Sequence, residues 1–204
     1  MSESMRIFKD LEQGTADWKE LRRGKFTAST MSKLFMGKTT QGYTDAIYKM
    51  AMERMTGKLT EGYSNAAMQR GVEMEPMARQ AYEVEKEVLV EECGFIEVDE
   101  WLGCSPDGLV GDDGMIQIKC PAFNTHIGYI MDNKVPKDYY VQMQAELYVS
   151  GRKWNDFVSF HPELPMLILR VEPDKEMFKK IAEEVELAKQ KVEETIKKIE
   201  ACRR

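Results

Sequence analysis

Asp107, Gln117 and Lys119 combine residue types that hydrolytic chemistry needs. Asp107 lies in Cys104-Ser105-Pro106-Asp107-Gly108-Leu109, and the other two lie in Met115-Ile116-Gln117-Ile118-Lys119-Cys120-Pro121. Between them, Gly111-Asp112-Asp113-Gly114 carries turn composition. A chain that passes Asp107, turns there and returns as a strand brings Asp107 beside the second segment. Side chains alternate along a strand, so Gln117 and Lys119 share one face and Ile116 and Ile118 the other. An acid, an amide carbonyl and an ammonium at one strand edge suit metal-assisted hydrolysis. The oxygens hold a hard cation that polarises a phosphate and activates water. The lysine orients or deprotonates that water, or steadies the developing charge. The same pattern also describes a solvated sheet edge, and spacing alone leaves both open.

The elements that must position these residues read as mixed α/β (α+β), with a small central sheet, helices around it and a long C-terminal helix. Asp17–Arg23 reads as a short helix stopped by Gly24, and Thr27 or Ser29 as the N-cap of a helix reaching Phe35. Tyr43–Thr56 is helical and ends at Gly57; Lys58–Asn65 is a polar connection. Ala66–Glu87 is helical, with Pro76 marking either an entrance or a kink. Leu89–Val98, Leu102–Cys104, Met115–Lys119, Phe157–Phe160 and Met166–Val171 read as strands, and Asn124–Asn133 and Tyr139–Val149 as helices. In the tail from Pro173, Phe178, Ile181, Val185, Ala188, Val192, Thr195 and Ile199 form a heptad-like seam. That seam suits packing on the chain's own domain or contact with a partner. One domain spanning 1–204 covers the pattern.

Composition narrows the function classes. The chain has 204 residues and a formal net charge of −6, with 43% hydrophobic and 31% charged residues. It is long enough for a sizeable core and unlike a disordered chain. No apolar run approaches the roughly 20 residues of a membrane span. Met1–Asp10 carries no apolar signal core, so a cytoplasmic location is the expectation. Cys93, Cys104, Cys120 and Cys202 form no CxxC pair, which argues against zinc ribbons and iron–sulfur clusters. With only His126 and His161 available, any metal must be held mainly by oxygen, favouring magnesium, manganese or calcium. The acidic sum is unevenly distributed. Lys19–Lys58 contains nine Lys and Arg against three acids, whereas Glu73–Glu100 is acid-rich, with Arg79 and Lys86 its only Lys or Arg. Phosphate contact needs a local basic surface rather than a positive total, so a DNA-facing side built from the N-terminal third is compatible with −6.

The central stretch resembles the Pro-Asp…Glu-x-Lys signature of restriction-endonuclease-like, PD-(D/E)xK nucleases. More narrowly, it is similar to the phage lambda-type exonucleases, the YqaJ-like viral recombinase nucleases. Ser105-Pro106-Asp107-Gly108-Leu109 and Ile118-Lys119-Cys120-Pro121 match at the family spacing. So do Trp18, Leu21-Arg22, Gly24 and Thr27-Ala28-Ser29, then Gly71 with Glu75, Thr125-His126, Pro136…Tyr140 and Gln142-Met143-Gln144, in family order. The resemblance covers Trp18 to Arg170.

It implies a 5′-to-3′ exonuclease on double-stranded DNA ends in phage-type recombination, using Mg2+ or Mn2+, with two ions per site. It also implies a single-strand-annealing partner protein, a homotrimer, and a phage or prophage origin in a bacterial cytoplasm. On this resemblance Asp107 is the metal-bridging acid, position 117 and the Ile118 carbonyl are further ligands, and Glu75 adds a ligand or orients a metal-bound water. Lys119 handles the water, and Gln144 stands near the metal and scissile phosphate. Arg22, Ser29 and Ser105 line a 5′-phosphate pocket, and His126 takes the place of a basic pocket residue. The family expects Glu at 117, and this chain has Gln117. An amide lacks the charge that holds a hard cation, so the leading expectation is an impairing Glu→Gln change of an active enzyme, of the kind made deliberately to trap a complex. The alternatives are natural tolerance of the amide, an inert DNA-end-binding module, and an endonuclease or repair nuclease of the same superfamily.

Overall fold

The computed structural model describes residues 5–60 and 66–202; most of the polar connection expected over Lys58–Asn65 lies outside them. In chain order the elements are β1 (Arg6–Phe8), α1 (Ala16–Arg22), β2 (Phe26–Thr27), a 3-10 turn (Ala28–Thr30), α2 (Met31–Leu34), α3 (Gln41–Thr56) and α4 (Ala66–Lys86). There follow β3 (Val90–Glu91), β4 (Phe95–Glu97), β5 (Leu102–Cys104), β6 (Gly108–Val110), β7 (Gly114–Lys119), α5 (Phe123–Asp132), α6 (Lys137–Ser150), β8 (Trp154–Ser159), β9 (Leu167–Val171) and α7 (Lys175–Ala201).

Two mixed sheets replace the single small sheet expected. One has the order β1-β4-β5-β2 and the other β3-β6-β7-β8-β9. The hairpin partner of β7 is β6, not Leu102–Cys104, which lies in the other sheet. Pro106 has no N–H for a ladder and separates β5 from β6, a strand not expected from the sequence. β7 and β8 are parallel, and the α5–α6 pair makes the crossover that parallel strands require.

Alternation along β7 sorts its side chains between two cores. Met115 joins Leu109 and Phe157 in the larger core, with α2, α3, α6 and α7. Ile116 and Ile118 join Val158 and Phe160 in the smaller core, against Ala78 and Tyr82 of α4. Tyr82 donates to Asp156 Oδ2 at 2.8 Å, and Arg170 donates to both oxygens of Asp156 at 2.8 and 2.9 Å. This buried acid is therefore fully paired, and it ties α4 to β8 and β9.

α4 runs unbroken through Pro76, so the proline does not mark a helix entrance. α7 begins at the Asp174 cap, whose carboxylate accepts from the backbone of Glu176 and Met177 at 2.9 and 3.1 Å. Its seam is used by the chain itself: Ile181, Val185, Ala188 and Val192 are buried in the larger core, and α7 packs on α3. No helix among the described residues is long and apolar enough to cross a membrane.

Candidate active site

β7 delivers Gln117 and Lys119 to the face opposite Ile116 and Ile118, and the β6–β7 hairpin swings Asp107 against it. Asp107 Oδ2 accepts the Ile118 backbone N–H at 2.7 Å and is also bonded by the Gln117 side-chain amide. Gln117 is buried, and its Oε1 in turn accepts from Gln142 Nε2 on α6. The same Gln142 nitrogen donates to Glu146 Oε1 at 2.9 Å. Glu75 approaches from α4, held by Arg79 Nη2 at 2.8 Å, while Arg79 also pairs with Glu92. Lys119 lies over the Tyr139 ring, its Nζ 5.1 Å from the centroid.

The electrostatics fit a site built for positive charge. Burial, then the Asp107 charge, push Glu75 up to about 7. Burial, then Asp107, push Glu146 up to about 8. Asp107 itself is raised by desolvation, against the pull of Lys119 and the Ile118 N–H. Three acids are thus uncomfortable when ionised together, and a dication would relieve all of them. Among the described residues no three His, Cys, Asp or Glu side chains gather closely enough to form a ready cation cage. The amide at 117 stands where one more acid would complete such a set. Asp107, the Gln117 side-chain oxygen, the Ile118 carbonyl and Glu75 would hold a hard cation less tightly than an all-carboxylate set.

A second cluster sits two residues upstream of Asp107. Arg22 Nη1 donates to Ser105 Oγ at 2.8 Å, and its Nη2 lies 3.5 Å from Ser29 Oγ. The guanidinium packs on the Trp18 ring, 4.0 Å from its centroid. Trp18 Nε1 is 3.0 Å from both Ser105 Oγ and the Gly94 carbonyl. Ser105 Oγ therefore accepts twice, which leaves its own hydrogen to donate elsewhere. Desolvation pushes Arg22 down to about 10, so an anion here meets a poorly hydrated cation. Arg22, Ser29 and Ser105 are brought together.

Two expected site residues lie elsewhere. Gln144 is fully buried; its amide donates to the Glu172 carbonyl at 2.7 Å and accepts from the Asp174 N–H at 3.0 Å. It braces the entrance to α7. Residues two apart on a helix point about 200° apart, so when Gln142 faces Gln117, Gln144 faces away. His126 is also fully buried, with Nδ1 2.7 Å from Ser159 Oγ and Nε2 3.0 Å from the Pro165 carbonyl. Both ring nitrogens are engaged, so the ring supports β8 opposite Lys119 rather than facing the Arg22 pocket. Gln142 and Glu146 were missed. Their four-residue spacing on one helix face was the available signal.

Residues 17–153 match the YqaJ-like viral recombinase domain. The chain belongs to the YqaJ-like viral recombinase family. This YqaJ-like chain is similar to LHK-Exo, an alkaline exonuclease from Laribacter hongkongensis, with 37% identity and a TM-score of 0.84 over 92% of this chain and 97% of that one. LHK-Exo in complex with dAMP gives a TM-score of 0.85 at the same identity and coverage. A phage-related exonuclease from Haemophilus somnus 129PT, 18% identical, shares the fold with a TM-score of 0.69 over 89% of this chain and 99% of that one. No curated protein matches the chain. Its nuclease family and its mixed α/β exonuclease fold are thereby established.

Proposed function

We propose that this chain is a metal-dependent exonuclease of the 5′-to-3′ type, acting on ends of double-stranded DNA, with Gln117 limiting its rate. The observation that carries this reading is the adjacency of two clusters along Ser105-Pro106-Asp107. Two residues of extended chain span about 7 Å, the scale of one nucleotide step. An end phosphate bound by Arg22, Ser105 and Ser29 would thus leave the next phosphodiester at Asp107. The LHK-Exo complex with dAMP supports a mononucleotide-sized product.

In this reading Asp107, Gln117, the Ile118 carbonyl and Glu75 hold Mg2+ or Mn2+, which when bound polarises the scissile phosphate and acidifies a water. Lys119 orients that water and steadies the charge developing on phosphate oxygens. Arg22 and Ser105 hold the terminal phosphate by charge-assisted hydrogen bonds. Two ions per site, a homotrimer, a single-strand-annealing partner, one domain over 1–204 and a bacterial cytoplasmic, phage-derived setting are carried over from the resemblance as part of the proposal.

The test uses linear duplex labelled on one 5′ or one 3′ end, and closed circular duplex, with the Gln117→Glu form and magnesium. The reading expects early release of the 5′ label as mononucleotide, late release of the 3′ label and an intact circle. Cutting of the circle would favour the endonuclease alternative. End binding without cutting in any form would favour the inert module.

A further inference from the structure

Glu146 is an acid with no place in the roles assigned above, yet it is fully buried beside the reacting cluster. Its two oxygens are each used once. Oε1 accepts from Gln142 Nε2 at 2.9 Å, and Oε2 accepts from Asn155 Nδ2 of β8 at 2.7 Å. Asn155 is fully buried too. Gln142 Nε2 carries two hydrogens; one goes to Glu146 and the other to Gln117 Oε1. Gln117 then turns its own N–H to Asp107.

The polarity of this chain follows from its ends. Asp107 Oδ2 accepts from the Ile118 N–H and the Gln117 amide, and both oxygens of Glu146 accept from side-chain amides. With acceptors at both ends, Gln142 points its NH2 group at both Glu146 and residue 117. The group at 117 must therefore present an acceptor to Gln142. A carboxylate at 117 would be gripped in the same way, because it too accepts.

We infer that Glu146 is a positioning residue that acts through Gln142 to fix the side chain at position 117. The inference rests on the nuclease reading only for its kinetic consequence; the coupling between Glu146 and residue 117 stands apart from it. Outer partners that orient metal-ligating side chains typically change metal affinity or activity by 10- to 100-fold when removed.

Two measurements test it. The first uses the chain as it is: the side-chain 1H–15N pair of Gln117, identified by its loss in Gln117→Glu, is followed in Glu146→Ala, Glu146→Gln and Gln142→Ala, with backbone resonances reporting on the fold. Glu146→Ala and Gln142→Ala should both move and broaden that pair. Glu146→Gln, whose carbonyl still accepts from Gln142, should leave it near its original position. The second measures kcat and KM on duplex ends in the Gln117→Glu background. Glu146→Ala should lower kcat about 10- to 100-fold with KM changed less than about twofold, and Glu146→Gln should recover kcat to within about threefold. The Gln142→Ala, Glu146→Ala double variant should be no slower than Gln142→Ala alone, since the one acts through the other. An unmoved Gln117 pair in Glu146→Ala, or kinetic losses that multiply, would overturn the inference. If no background degrades DNA, the nuclease reading fails while the resonance of Gln117 still decides the coupling.

Discussion

The side-chain amide of Gln117 donates to the Asp107 carboxylate, which also accepts the Ile118 backbone N–H at 2.7 Å. An amide thus satisfies an acid that a carboxylate in the same place would repel. Gln117→Glu should lower the metal-free stability by about 1–2 kcal/mol, roughly 3–6 °C at this chain length. Magnesium or manganese should then raise the melting temperature of the variant more than that of the parent. Thermal melts with chelator and with millimolar metal check this; an equal metal response in both proteins would contradict it.

The acid cluster also sets a pH dependence. Glu75 and Glu146 ionise near the ordinary 4.5 when unfolded and at about 7 and about 8 when folded. The folded chain therefore holds more protons between those values, and its stability falls as pH rises. Without metal, the melting temperature should be highest near pH 5 and decline through pH 7 and 8. Glu146→Gln should flatten the upper part of the decline. A melting temperature that is flat or rising between pH 5.5 and 8.5 would refute the assignment.

Lys119 lies over the Tyr139 ring, its charge lowers the pKa of Asp107 against the desolvation that raises it, and in the proposed mechanism it acts on substrate. In the Gln117→Glu background, Lys119→Ala should reduce single-turnover cutting by at least about 100-fold, while end affinity measured with calcium changes less than about threefold. Cutting retained within tenfold would remove Lys119 from the chemistry.

Arg22 is stacked on Trp18 and bonded to Ser105. Duplex with 5′-phosphate ends should be degraded about 10-fold or more faster than duplex with 5′-hydroxyl ends, and Arg22→Ala should erase most of that ratio. Equal rates on the two ends with the parent pocket intact would sink the phosphate-pocket role of Arg22, Ser29 and Ser105.

How far sequence could reach differs between residues. The alternation Ile116-Gln117-Ile118-Lys119 was legible because period two is a local rule, and the structure sorts those four side chains as the rule requires. The Arg22, Ser29 and Ser105 grouping was legible only through motif order, since nothing local joins α1 to β5. The split into two sheets was not legible: Gly108–Val110 is too short and glycine-bearing to stand out as a strand. A Gln-x-Gln pair does not say whether Gln142 or Gln144 faces Gln117; tertiary packing of α6 decides that. His126 has the composition of a phosphate ligand, and burial against Ser159 and Pro165 gives it a structural task. Glu146 is signalled only by its four-residue spacing from Gln142, a weak cue because a lone acid on a helix usually faces solvent.

The central claim is that the residues around Asp107 form a nuclease site whose rate is held down by the amide of Gln117. The most direct measurement is single-turnover degradation of a 5′-phosphorylated linear duplex against magnesium concentration, with the parent chain and Gln117→Glu side by side. The account predicts a rate on the order of 100-fold higher for Gln117→Glu, with half-saturation at lower magnesium. A parent chain that degrades DNA as fast as Gln117→Glu at equal magnesium would contradict it.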